Sequence, residues 1–148
     1  MSYTPNTVGS QFYGSARSLA TGYINGMGTT LTQSTPVCVN TSGQMISVDV
    51  TSDAAIAGLI GLVQQDTPST ALGLVTDNGR LENITTSFSI GDPVYINFDG
   101  TLTNVRPDLT VSGWAVGMYM VFIGVIVMNQ FNPALKDIKI YLDVLGQL

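Results

Sequence analysis

The stretch from Gly91 to Val105 does most to limit what this chain can fold into. Val94, Ile96 and Phe98 alternate with Tyr95 and Asn97, the period of two that marks a strand with one buried side. Asp99-Gly100 follows, and both residues accept the left-handed backbone of a tight turn. Thr101 to Val105, rich in Thr and apolar residues, reads as the returning strand. Gly91-Asp92-Pro93 and Arg106-Pro107-Asp108 punctuate its two ends. The stretch is a β-hairpin, and it carries no catalytic group.

An earlier copy exists. Thr35 to Val48 aligns with Asp92 to Val105 without a gap, at a constant offset of 57 residues from Pro36 to Pro93 and from Gly43 to Gly100. Val37/Val94, Asn40/Asn97 and Val48/Val105 are also identical pairs, and Val39/Ile96 and Met45/Leu102 are alike in character. Farther on, Ile60-Gly61-Leu62-Val63 resembles Ile123-Gly124-Val125-Ile126 at an offset of 63, so the second copy carries an insertion. One supersecondary unit used twice is the expectation; two hairpins made alike by limited turn chemistry is the alternative.

The other segments follow the same grammar. Ile60 to Gln64, Leu72 to Thr76, Arg80 to Ile84 and Phe122 to Met128 read as strands, with Arg80 to Ile84 pairing back on the strand before it. Asp53 to Ala57 reads as a short helical turn capped by Ser52. Ile138, Ile140, Leu142 and Val144 alternate with Lys139, Tyr141 and Asp143, a strand with one wet side; a short helix from Pro133 competes with it. The expected fold is all-β with minor helical turns: a small β-sandwich or barrel built from two similar hairpin units. A single β domain spans 35–148, with a C-terminal extension from about 129.

Residues 1–34 stand apart. Arg17 is the only charged side chain before Asp49, and Tyr3, Phe12, Tyr13 and Tyr23 are dotted among small polar residues. A solvated tail usually has the opposite bias. An extended N-terminal arm whose aromatics dock on a neighbour is the preferred reading, and a disordered tail is the other.

Charge excludes much. Charged residues make up 10% of the 148, against roughly 25% in ordinary soluble domains, which suits a surface covered by partners. The five basic residues are scattered and the net charge is −5, so no direct nucleic-acid partner is expected. The absence of histidine removes the commonest general base and metal ligand. The pairs Asp49/Asp53 and Asp92/Asp99 read as turn formers rather than catalytic dyads. No catalytic residue, metal or cofactor is expected. Cys38, the one cysteine, reads as a buried small apolar residue. Trp114 and its Met-rich surroundings read as core or interface, with a ligand pocket as the alternative.

Residues 113–128 are uncharged and strongly apolar but fall short of the ~20 residues of a spanning helix. They read as two buried strands joined near Met118 to Ile123, with no membrane partner. The first residues have neither a basic start nor an apolar run, and no signal peptide is expected.

In order, these elements resemble the capsid decoration, or cement, proteins of tailed bacteriophages. Pro36 to Val39, Ile60 to Val63, Gly91 to Tyr95, Gly100 to Leu102 and Ile123 to Ile126 carry the resemblance, which covers about 30–128. It implies a non-catalytic structural virion protein, made in the host cytoplasm and seated on the outer capsid surface. Its expected partners are the major capsid protein and itself, as a homo-oligomer and in particular a trimer. Tyr3, Phe12, Tyr13, Tyr23 and Trp114 are the candidate interaction residues. The long arm and the C-terminal extension depart from the compact family pattern and leave open a head-fibre base, or a tail adaptor that binds carbohydrate.

Overall fold

A computed structural model describes residues 20–148. These residues include ten strands: β1 Ala20–Ile24, β2 Pro36–Val39, β3 Met45–Ser47, β4 Leu59–Val63, β5 Leu72–Thr76, β6 Gly79–Ile84, β7 Pro93–Ile96, β8 Leu102–Thr103, β9 Tyr119–Met128 and β10 Lys136–Gln147. One short helix among the described residues, α1 Asp53–Ala57, precedes β4; the Ser52 hydroxyl caps it by accepting the Ala55 N–H at 3.1 Å.

The strands form two antiparallel five-stranded sheets, ordered β1-β5-β4-β2-β3 and β6-β10-β9-β7-β8. The second order is the first advanced by five strands, so the duplication extends over both sheets. It holds bond by bond. In the first hairpin turn, Asn40 N–H donates to Gln44 O at 2.9 Å and Gly43 N–H to Asn40 O at 3.0 Å; in the second, Asn97 N–H donates to Thr101 O at 2.6 Å and Gly100 N–H to Asn97 O at 2.9 Å. Gly43 and Gly100 have φ of 78° and 87°, which glycine adopts without penalty. At the hairpin entries Ser34 N–H bonds Val63 O and Gly91 N–H bonds Ile126 O, each at 2.8 Å. Val37 faces Gly61 and Val94 faces Gly124; in both sheets the register then slips, to Cys38 opposite Leu59 and Tyr95 opposite Phe122.

The sheets do not pack on matching faces. The main core joins Cys38 and Leu62 of the first sheet to Val94, Ile96, Ile126 and Ile138 of the second. A smaller cluster of Leu31, Val37, Met45, Val63 and Val75 lies on the other side of the first sheet, packed with Tyr23, Met27 and Ile60. Val94 is the counterpart of Val37, and Ile126 of Val63. The second sheet therefore turns inward the side that the first sheet turns outward, and the two units stack head to tail.

Four expectations change. Residues 20–34, read as part of the arm, belong to the domain: β1 pairs along β5, and Leu31 is buried. Asn25 holds this segment, donating to Thr67 O at 2.9 Å and Thr29 O at 3.0 Å while accepting Met27 N–H at 2.8 Å. Tyr3, Phe12 and Tyr13 lie outside the described residues. The expected C-terminal extension supplies β10, an interior strand between β6 and β9. Residues 119–128 form one strand rather than part of two, because Gly124 permits close strand approach instead of breaking the chain. Finally, β6 pairs with β10 of the second sheet and not with β5. Among the described residues no helix is long and apolar enough to cross a membrane.

Candidate functional site

Two of the residues singled out in the sequence are described, and both are packed. Tyr23, on β1, is half-buried against the smaller cluster. Trp114 lies in the main core at 7% exposure, edge-on to Phe98 with ring centroids 5.8 Å apart. Trp114, expected in the core or at an interface, sits in the core.

The carboxylates build turns. Asp49 Oδ1 accepts the Thr51 N–H at 2.9 Å and its hydroxyl at 2.7 Å. Asp99 does the same with Thr101 and Asp108 with Thr110. Asp92 accepts from Asn104 Nδ2 and Ser89 N–H, each at 2.9 Å. Donors aimed at the charged form hold all four carboxyls below the ordinary 3.8, led by the Thr51 hydroxyl for Asp49, Asn104 for Asp92, the Thr101 hydroxyl for Asp99 and the Thr110 backbone for Asp108. Such groups are poor proton acceptors near neutrality. Among the described residues no three His, Cys, Asp or Glu side chains gather as a metal site. Burial pushes the Cys38 thiol up, with the charge of Asp49 adding to it, the reverse of an activated nucleophile.

Asp137 is different. It is fully buried, and its carboxylate takes Arg80 Nη1, Asn83 N–H and Asn129 Nδ2, each at 2.9 Å. This closed knot ties β6, β10 and the loop after β9 together; its lone pairs are spent on structure.

A cleft of about 200 Å³ opens where the two units meet. Thr32, Thr35, Thr86, Thr101, Leu102 and Ile126 are among the residues that line it. No charged side chain is among the residues that line it, so its chemistry is that of neutral hydrogen bonding over an apolar floor.

The largest departure from the sequence reading is the outward face of the second sheet. Tyr95 meets Phe122 edge-on at 5.6 Å, and Phe122 stacks on Tyr141 at 6.5 Å and 20°. The row crosses β7, β9 and β10, from buried Tyr95 through half-buried Phe122 to Tyr141 at 54% exposure. Lys139 and Asp143 are exposed on either side of Tyr141, with Lys139 Nζ 5.3 Å from the Tyr141 ring centre. The signal was present in the alternation of β10, whose wet side is Lys139, Tyr141 and Asp143.

No family model, no curated protein and no solved structure matches this chain.

Proposed function

We propose that the chain is a non-catalytic structural virion protein that decorates and stabilises a phage capsid. Its partners are the major capsid protein and other copies of itself, and its place is the outer surface of the shell. The observation that carries this reading is the aromatic row on the outward sheet of a chain that is only 10% charged. Aromatic residues with few charges are the composition of a protein contact. Two stacked units give such a contact a stiff support, and repetition over a lattice multiplies weak contacts. Asp49, Asp92, Asp99 and Asp108 are committed to turns and Asp137 to its knot, which leaves these five carboxylates to structure rather than chemistry.

The test is co-sedimentation with purified capsids that lack the chain. Saturable binding, with a rise in the temperature at which the shells release DNA, is expected. Absence of binding to capsids from the virus encoding the chain contradicts the reading. A second reading, a carbohydrate-binding module of a head-fibre base or tail, draws on the exposed Tyr141 ring. Glycan-array binding abolished by Tyr141→Ala would favour it.

A further inference from the structure

Among the described residues, the head-to-tail stack leaves one surface unmatched by another sheet. In the first unit the side bearing Cys38 and Leu62 is closed by the second sheet. Its counterpart in the second unit bears Tyr95 and Val125, with Phe122 in place of Leu59. The stack cannot continue by adding another first unit, because that unit's remaining face is already packed with Tyr23, Met27 and Leu31. A partner for this face is therefore something other than the next step of the same stack.

Its charges say what fits. Lys139 and Asp143 have opposite signs and stand two residues to either side of Tyr141 on one strand, paired across to Val125 and Phe122 of β9. A twofold axis lying in the plane of the face, across the strands at Tyr141, reverses the strand direction of a second copy. Lys139 of each copy then lies over Asp143 of the other. The aromatic row runs across the strands, so it lies along that axis, and Tyr141 and Phe122 meet their own images. A self-complementary patch of this kind is what an isologous contact requires, with aromatics at the centre and charges at the rim. We propose that the outward face of the second sheet is a homotypic interface, pairing two copies through Tyr141 and Phe122 with reciprocal Lys139–Asp143 contacts.

The inference deepens the self-contact part of the proposed function and is tested without a capsid. Sedimentation velocity on the full chain compares wild type with Lys139→Asp, Asp143→Lys and the double reversal, with thermal melts to establish that each is folded. Wild type is expected to pair reversibly. Each single reversal places like charges together and should raise the dissociation constant ~10-fold or more, and the double reversal should restore it. Tyr141→Ala should weaken pairing at least as much. A monomer at every concentration overturns the proposal. So does an oligomer indifferent to both reversals, or one that the singles weaken and the double does not rescue. Capsid binding by a protein that fails this test would leave the proposed function standing and remove only this interface.

Discussion

Gly61 and Gly124 hold the same place in two different sheets. A β-carbon on Gly61 would lie 2.4 Å from the Thr76 carbonyl oxygen, and one on Gly124 would lie 2.0 Å from that of Lys139. Thr76 and Lys139 are themselves counterparts, each followed by a residue whose α-carbon would be next in contact, Asp77 and Ile140. The duplication thus reaches the level of single backbone contacts. Gly61→Ala and Gly124→Ala should each destabilise the fold by about 2–4 kcal/mol, since backbone cannot yield as a side chain can. Gly61 also has φ of 137°, so its substitution adds backbone strain. Urea titration of both variants checks this; a neutral result at either position contradicts the equivalence.

The Asp137 knot should be the most sensitive polar site in the second sheet. Asp137→Ala strips partners from Asn83 N–H and Asn129 Nδ2 and removes the ion pair with Arg80, so a loss of about 2–4 kcal/mol is expected. Because the carboxylate is fully buried, added salt should change the wild-type value little. Chemical denaturation at low and high salt measures both effects.

Acid should unfold the protein through its turns. Asp49, Asp92, Asp99 and Asp108 titrate below 3.8 in the folded state. As pH falls the unfolded chain therefore binds protons first, and the stabilisation is present above about pH 4 and lost below it. Melting temperature against pH should run flat from neutrality to about pH 4 with respect to these groups, then drop. The drop should be smaller when Asp49, Asp99 and Asp108 are replaced by Asn.

Thr76 is a place where the fold is less than optimal. It is fully buried, and its hydroxyl has no hydrogen-bond partner among the described residues. Thr76→Val keeps the shape and removes the orphaned group, so stability should rise by about 1 kcal/mol. A loss of stability would mean that the hydroxyl is bonded in solution.

The hairpins were legible in the sequence because their signals are local. Gly43 and Gly100 fix the turns, and Pro36 and Pro93 fix the entries. The Gly61/Gly124 match was legible too, since close strand approach admits no side chain. The stacking was not. In β2 both Val37 and Cys38 are apolar and both are buried, on opposite sides of the sheet, so alternation carries no information about which side faces the partner sheet. β1 escaped notice because its residues are uncharged and mostly exposed, with Tyr23 its one large half-buried anchor. The alternation of β10 holds through Leu142, which packs on the main core, and fails at Val144, which is exposed beyond the register shift. The aromatic row was hidden for a different reason: Tyr95, Phe122 and Tyr141 are far apart in sequence and meet only across three strands.

The head-to-tail stack can be tested with two single cysteines in a Cys38→Ala background. Leu62→Cys and Val125→Cys occupy counterpart positions, one fully buried in the main core and one half-buried on the outward face. Thiol labelling of the native protein, at a concentration where copies stay apart, compares their rates with those in the unfolded chain. Val125→Cys is expected to react in the native state, and Leu62→Cys to stay protected until the fold opens. Equal protection at both positions would mean that the two sheets close on matching faces, and would contradict it.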